Sequence, residues 1–162
     1  TIGRRQRQMC IRDSFHIMLR VDIESMLIDK SLKVEDLPTV WNEQIKQYLD
    51  LEVPDDSQGV LQDIHWSGGQ FGTFCNYTIG NVMAAQLMET MKNTNPEIQN
   101  DINQSNYDTL LNWLTSNIHT HGRRYTRNEL LERSTGETLN PLPYLNYLKG
   151  KATQVYGVKF NA

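Results

Sequence analysis

A dense group of polar and aromatic side chains lies near the middle of the chain. The stretch GVLQDIHWSGGQFGTF spans residues 59–74 and carries Gln62, Asp63, His65 and Trp66 within five positions. An imidazole can donate a hydrogen bond to a developing oxyanion or to a substrate carboxylate, a carboxylate can orient it, and an indole can exclude water. The glycines that follow predict backbone that turns tightly or passes close to another group. The stretch is therefore either the wall of a site or a structural corner whose polar groups satisfy one another.

The other histidines are weaker candidates for chemistry. The pairs Asp63 with His65 and His119 with His121 have the residue types that suit zinc or manganese, but their short spacings are not diagnostic of a metal site. His119 and His121 are expected at a helix end, where imidazoles often meet carbonyl groups and solvent. His16 lies in an apolar helical pattern, which favours a hydrogen-bonded core residue.

Complete catalytic motifs are absent from the printed sequence. It contains no H-E-x-x-H, no G-x-S-x-G and no P-loop. Arg123 and Arg124, beside Tyr125, are able to clamp a carboxylate, although a solvated pair before a capped helix is the commoner arrangement. The residues alone leave open a substrate-binding wall around His65 and a helical module without catalysis.

Length, charge and cysteine content exclude several classes of function. A chain of 162 residues fits one domain or one piece of a larger one. The formal net charge of −3 and the pI of about 5.8 give no basic surface for nucleic acid, and no apolar run is long enough for a membrane span. Two cysteines are too few for a disulfide framework, which favours a reducing, cytoplasmic setting.

Apolar periodicity predicts a mainly α fold with about seven helices in a multi-helix, bundle-like array. A broad apolar stripe over residues 15–28 predicts a helix that is buried on more than one side. A second long helix is expected at about residues 75–93, and no convincing alternating strand occurs. Asp36 is able to cap a helix that has Pro38 in its first turn, and Thr126 and Glu129 have the spacing of a capping box. Asn106 and Asn140 are further start signals, and Gly136 is placed to end a helix.

The first fourteen residues do not fit the pattern that follows. TIGRRQRQMCIRDS carries four arginines and few apolar residues, and MCIRDS resembles the peptide obtained when sequencing-adapter DNA is translated. We therefore predict a non-native or disordered lead-in over residues 1–14 and a single helical region over residues 15–162. A basic arm that binds nucleic acid is the functional alternative for the lead-in.

The central stretch also carries a resemblance to a known family. GVLQDIHWSGGQFGTFCNYTIGN resembles the signature near the C-terminal end of the carboxypeptidase Taq family of metal-dependent carboxypeptidases. Two segments before it, FHIMLRVDIESMLI and DLPTVWNEQIKQYLDLEVPDDSQGVLQDIHW, and one after it, HGRRYTRNELLERSTGETLNPLPYLNYLKGK, resemble family segments too. Together they cover essentially residues 15–157, in order and with few gaps. The resemblance implies the C-terminal part of a larger helical metallopeptidase fold. It also implies an enzyme that removes C-terminal amino acids from peptides, with a peptide as substrate and a homodimer as the assembly. The charge and the apolar runs of the chain, separately, predict no nucleic acid and no membrane as partner.

The resemblance implies roles for five residues. His65 would stabilise the tetrahedral intermediate or hold the substrate, with Asp63 orienting it, so these two are the catalytic candidates. Gln62, Trp66 and Tyr77 are the substrate-binding candidates. The family holds zinc or another divalent metal through H-E-x-x-H and a further glutamate, which lie upstream of the segments matched here. We therefore expect this chain to bind no metal and to be inactive by itself.

Three departures from the family pattern limit what the resemblance implies. Thr73 stands where the family usually has tyrosine, so a phenolic donor expected in the cleft is missing, and Cys75 replaces a proline. The family also has an arginine-containing segment suited to the substrate's carboxylate. Arg12 imitates it only superficially, because it lies four residues from His16, which is too close for the family spacing. A non-catalytic helical binding or scaffold module is the alternative function.

Overall fold

The computed structural model of the chain describes residues 2–62 and 64–160, with side chains from residue 13 onward. Over that range the structure is helical and contains no strand. Three short 3-10 turns lie at Val34–Asp36, Val60–Gln62 and His119–His121. The α-helices are α1 (Ile2–Ile28), α2 (Leu37–Leu49), α3 (Cys75–Thr94), α4 (Ile98–Asn103), α5 (Asp108–Asn117), α6 (Arg127–Thr135) and α7 (Leu142–Tyr156). The mainly α class and the number of α-helices are as predicted.

Contacts divide the chain into two compact units, Thr1–Ile79 and Gly80–Ala162. The boundary falls within α3, whose first residues belong to the first unit. The predicted start of α3 at Cys75 is confirmed, and its last residue lies one position beyond the predicted Asn93. The first unit contains the whole of the polar stretch at residues 59–74, so it is the unit that positions the candidate site.

Helix α1 begins at Ile2, whereas the apolar stripe begins only at Phe15. Arginine, glutamine and methionine are good helix formers, and residues 4–14 contain neither glycine nor proline to stop the helix. Within the stripe Leu19 and Ile23 are fully buried, while Met18 and Ile28 are 46% and 69% exposed. Part of the broad apolar stripe is therefore uncovered in this unit. The non-native origin of residues 1–14 stays a prediction.

The core of the first unit lies between α1 and α2. Trp41 and Ile45 of α2 pack with Leu19 and Ile23 of α1, and Leu32 and Val60 complete the buried cluster. Burial of one such aliphatic side chain contributes about 1.5–3 kcal/mol to folding. Because Val60 belongs to this cluster, the core fixes the point where the polar stretch begins.

The start of α2 lies at the predicted position but lacks the predicted capping hydrogen bond. The helix begins directly after Asp36, with Pro38 in its first turn, as predicted. Asp36 makes no capping hydrogen bond, however, so the predicted cap is wrong. The 3-10 turn Val34–Asp36 runs straight into α2 and leaves Asp36 with helical backbone angles, φ −90° and ψ −7°. An N-cap side chain normally needs extended backbone to reach back to the helix.

The helix ends of the second unit follow their local signals. Thr126 and Glu129 form the predicted capping box, and Gly136, at φ 82°, ends α6 in the left-handed region. The Asn140 side chain accepts a hydrogen bond of 3.0 Å from the backbone N–H of Leu142, at the start of α7. These three predictions are confirmed, because each depends on residues within four positions of one another.

A buried amide joins α3 to the connection between α6 and α7 within the second unit. Gln86 is only 3% exposed. Its Nε2 donates to the carbonyl of Thr138 at 2.9 Å and to the hydroxyl of Thr135 at 3.2 Å, and its Oε1 accepts from the backbone N–H of Asn140 at 3.0 Å. Three hydrogen bonds offset the cost of burying the amide, so Gln86 links α3 specifically to the connection between α6 and α7.

Candidate functional site

Buried side chains fix both ends of the polar stretch. Val60, 7% exposed, begins the 3-10 turn that ends at Gln62, and Phe74, 5% exposed, comes directly before α3. Between them Leu61 and Ile64 are 71% and 79% exposed. The stretch is therefore a surface loop, and buried side chains of the first unit hold both of its ends.

The backbone around His65 forms a compact turn. Three N–H groups donate back into it: Gly68 to the carbonyl of Ile64 at 3.0 Å, Gly69 to that of Trp66 at 3.0 Å, and Gln70 to that of His65 at 2.8 Å. Gly69 and Gly72 both have a φ of 73°, a left-handed backbone conformation that glycine adopts readily and that is strained for residues with a side chain. The prediction of tight turns at these glycines is confirmed.

Three of the predicted site residues share one cavity. Gln62, His65 and Tyr77 line a cavity of about 600 Å³, together with His16 and Arg20 of α1. Tyr77 lies in the first turn of α3, so this helix, the polar stretch and α1 each supply part of the wall. The arrangement joins hydrogen-bond donors and acceptors with an aromatic side chain, which suits a polar ligand such as a peptide end.

The other two predicted site residues are placed differently. Trp66 is not among the lining residues of that cavity; it is half-buried and packs on the core cluster of the first unit. Its indole meets the Trp41 ring edge-on, with centroids 5.8 Å apart, and stacks on Phe71 at 6.5 Å. Asp63 lies outside the described residues, so its predicted role as the orienting carboxylate stays a prediction.

His65 and Trp66 contact the same buried ring. The centroid of the His65 imidazole lies 4.9 Å from that of Phe74, at an interplanar angle of 52°, and the Trp66 indole meets Phe74 edge-on at 6.4 Å. Because Phe74 is held in the core, it restricts both neighbours. Aromatic contacts of this kind contribute about 0.5–1.5 kcal/mol beyond the area that they bury.

Sequence reasoning missed three polar residues of α1 that face this stretch. His16, Arg20 and Glu24 recur every fourth residue, which places them on one side of the helix. The Cζ of Arg20 lies 5.1 Å from the ring centroids of both Trp41 and Phe74. The four-residue spacing of polar side chains within an apolar stripe is the signal that identifies them. His16, predicted as a core residue, is half-buried and lines the cavity.

His16 and Arg20 contact each other on the wall of this cavity. Arg20 Nη1 lies 3.3 Å from His16 Nδ1 and 3.5 Å from the His16 carbonyl oxygen. Both residues therefore lie on the same cavity wall as His65.

Glu24 binds the polar stretch directly. Its Oε1 accepts from the indole Nε1 of Trp66 at 2.9 Å, and its Oε2 accepts from the backbone N–H of Gly72 at 3.0 Å. The side chain is buried, with 5% exposed. The two bonds hold both ends of the glycine-containing loop at residues 66–72 against α1.

The positions that depart from the family pattern also lie here. The Thr73 hydroxyl is buried and has no hydrogen-bond partner among the described residues. The Cys75 thiol donates to the carbonyl of Gly72 at 3.4 Å, which keeps it beside the loop. The Thr73 hydroxyl therefore makes no hydrogen bond to the described residues of this site.

The side chains do not form a metal centre within the described part of the chain. No group of three or more His, Cys, Asp or Glu residues there is arranged to hold a metal ion. His119 and His121, on a 3-10 turn of the second unit, belong to no such group. The residues that the structure describes therefore do not fit a self-contained metal site.

A second cavity, of about 490 Å³, lies in the second unit between α3 and α7. Ala84, Ala85 and Met88 form its apolar side, and Tyr144 and Tyr147 stack on the other. It contains none of the predicted site residues. Arg123 and Arg124 are exposed and line neither cavity, as expected for a solvated pair.

Comparisons with known proteins agree on one family. Residues 11–152 match the family model of the carboxypeptidase Taq (M32) metallopeptidases. The chain is 36% identical over 141 residues to carboxypeptidase 1 of Bacillus subtilis (strain 168). The matched region covers 87% of this chain and 28% of that relative. No helix in the described residues is both long and apolar enough to cross a membrane.

Solved structures give the same result. The M32 carboxypeptidase from Deinococcus radiodurans R1 is 40% identical with a TM-score of 0.85, over 90% of this chain and 29% of that one. Metallocarboxypeptidase 1 of Trypanosoma cruzi is 41% identical with a TM-score of 0.81, and the match covers 85% of this chain and 29% of that one. The chain thus spans less than a third of the length of these relatives. It belongs to the carboxypeptidase Taq (M32) metallopeptidase family.

Proposed function

We propose that the first unit forms one wall of the substrate cleft of a metal-dependent carboxypeptidase. The observation that carries this proposal is the convergence of Gln62, His65 and Tyr77 on one cavity of about 600 Å³. The family membership supports it, because the named relatives are carboxypeptidases. In this proposal zinc or another divalent ion is held by residues outside this chain, so the chain alone releases no amino acids.

Each cavity residue has a role that its chemistry allows. The His65 imidazole donates a hydrogen bond to the substrate carbonyl oxygen as negative charge develops on it. The exposed amide of Gln62 binds the peptide backbone, and the Tyr77 ring, 56% exposed, contacts the terminal side chain. Asp63 orients His65 in this proposal. Trp66 contributes by packing: it holds the wall on the core.

A hybrid enzyme tests the proposal. The part of Bacillus subtilis carboxypeptidase 1 outside the matched region is joined to this 162-residue chain, and the intact relative is the positive control. The substrate is an N-blocked dipeptide with a free C-terminal carboxylate, assayed with and without added Zn²⁺. We expect release of the terminal amino acid by the hybrid and none by the isolated chain.

Matched histidine variants show whether the cavity takes part. His65→Ala is expected to lower the kcat of the hybrid by about a hundredfold, which is typical for the loss of one donor to an oxyanion. His119→Ala is the control, because His119 is exposed and outside the cavity. Equal rates for the two variants would contradict the assignment of His65. A folded but inactive hybrid would instead favour the non-catalytic binding module.

Self-association is a separate proposal. The resemblance implies a homodimer, and Leu61 and Ile64 expose apolar surface in the first unit. We propose that the isolated chain self-associates through such surface. Sedimentation velocity at several concentrations measures this, and a monomer at all of them would contradict it.

A further inference from the structure

Glu24 is a buried acid whose two carboxylate oxygens are both used by the polar stretch. The side chain is 5% exposed, and its acceptors bind Trp66 Nε1 at 2.9 Å and the Gly72 N–H at 3.0 Å. The partners lie 42 and 48 residues away along the chain. Burial of a carboxylate is costly unless hydrogen bonds compensate it, so this pair of bonds is a specific constraint.

The two hydrogen bonds of Glu24 restrict the position of His65 through two short connections. The first is the backbone: Trp66 follows His65 directly, and Gln70, inside the same loop, donates to the His65 carbonyl at 2.8 Å. The second is a ring contact, because Phe74 comes two residues after Gly72 and its centroid lies 4.9 Å from that of the imidazole. A shift of the loop away from α1 would therefore move the imidazole.

Glu24 does not touch the cavity in which the chemistry is proposed. It is absent from the residues lining the cavity that contains His65. Its route to function is the loop at residues 66–72, which it holds at Trp66 and at Gly72. Displacement of a reacting group by about 1 Å can cost a hundredfold in rate, so a residue that fixes such a loop matters for catalysis.

We propose that Glu24 is a positioning residue, which holds the loop at residues 66–72 on α1 and thereby sets where the His65 imidazole lies. The structural part of this proposal stands on the contacts alone. Its consequence for catalysis rests on the proposed function of the cavity. The two parts are tested separately, so that failure of one is distinguishable from failure of the other.

The structural part is tested by NMR on the 162-residue chain with Glu24→Gln. The amide keeps the size of the side chain but offers one acceptor oxygen and places an NH₂ group against the second donor. We expect the His65 side-chain resonances to shift, and hydrogen exchange at the Trp66 indole or the Gly72 amide to become at least about tenfold faster. The exposed Glu43 of α2 gives the matched control, Glu43→Gln. Unchanged Trp66, Gly72 and His65 signals in Glu24→Gln would overturn the proposal.

The catalytic part is tested by a double-mutant cycle in the hybrid enzyme. Glu24→Gln is expected to lower kcat by about tenfold, the usual lower bound for loss of a group that orients a functional side chain, with little change in KM. In the His65→Ala background the same substitution should have no further effect, because the residue that it positions is gone. An equal loss of kcat in both backgrounds would show a general structural role and overturn the proposal.

A second variant covers the case in which Glu24→Gln does not fold. Trp66→Phe removes one donor to Glu24 and keeps an apolar ring in the core. The same shift of His65 and the same dependence of kcat on His65 are expected, and an unshifted His65 would overturn the proposal. If the unmodified hybrid is inactive, the proposed function fails, while the NMR comparison still decides the positioning role.

Discussion

The imidazole of His65 and the ring of Phe74 lie with their centroids 4.9 Å apart. Phe74 is 5% exposed and also meets the Trp66 indole. One buried ring therefore connects the proposed catalytic side chain to the core of the first unit. The geometry of the site and the stability of the unit depend on the same side chain.

Phe74→Ala is expected to lower the free energy of unfolding by about 3 kcal/mol, the usual cost of removing a buried phenylalanine ring. Urea denaturation followed by tryptophan fluorescence measures it. The control is Phe160→Ala, since Phe160 is 47% exposed and should cost less than about 0.5 kcal/mol. Similar unfolding free energies for the two variants would show that Phe74 is not part of the core.

Gly59→Ala tests the close packing before the polar stretch. A Cβ on Gly59 would lie 2.6 Å from Cγ1 of Val53 and 3.2 Å from the carbonyl oxygen of Asp55. We expect a loss of about 1–3 kcal/mol in the free energy of unfolding, because this space is already filled. Gly80→Ala is the control, since nothing lies within 4 Å of its Cβ position in α3.

The control also has a predicted sign. Alanine favours a helix over glycine by about 0.8–1 kcal/mol, so Gly80→Ala should be neutral or stabilising. Combining Gly59→Ala with Val53→Ala should recover part of the loss, because the nearest obstructing atom is then removed. If Gly59→Ala is as stable as the unmodified chain, the packing around Val53 is looser than the distances indicate.

Gln86→Ala tests the buried tie of the second unit. The substitution removes the part-buried hydrogen bonds of the Asn140 N–H and the Thr138 carbonyl, and two such bonds together contribute about 1–3 kcal/mol. Hydrogen exchange at the Asn140 amide should become faster, and the free energy of unfolding should fall by that amount. Gln99→Ala on the exposed side of α4 should change neither quantity.

The capping box predicts how the stability of α6 depends on pH. Hydrogen bonds from the Thr126 side chain, then from its backbone N–H, hold the pKa of the Glu129 carboxyl below its ordinary value of 4.5, with a smaller contribution from Arg133. Because the pKa is lower in the folded state, the stabilisation is present above about pH 4.5 and is lost as the pH falls through the folded value.

Thr126→Ala is the variant that measures this dependence. The gap in unfolding free energy between it and the unmodified chain should be larger at pH 7 than at pH 3. Thr126→Ser, which keeps the hydroxyl, should follow the unmodified chain at both pH values. A gap that stays constant with pH would mean that the Glu129 carboxylate contributes nothing to the cap.

Local signals in the sequence were sufficient to predict most of the helices. The start and end of α6 were predicted because Thr126, Glu129 and Gly136 act within a few residues of one another. The cap at Asp36 failed because a 3-10 turn, for which the sequence offered no signal, took the position that an extended N-cap residue needs. Helical propensity upstream of Phe15 was overlooked in favour of the apolar stripe.

The site was predictable only where its residues are adjacent in sequence. Gln62, His65 and Tyr77 were identified from the polar stretch and the resemblance, and they meet at one cavity. Glu24 was not identified from the sequence, because its hydrogen-bond partners are more than forty residues away along the chain and an acid in a helix usually faces solvent. Its four-residue spacing from Arg20 was visible, but only the fold shows which side of α1 meets the loop.

The kcat of the hybrid enzyme, measured with His65 intact and with His65→Ala, decides whether this cavity wall takes part in the reaction. We expect metal-dependent release of the C-terminal amino acid by the first hybrid and a kcat about a hundredfold lower in the second. Equal kcat values in the two folded hybrids would contradict the claim that this cavity wall takes part in the reaction.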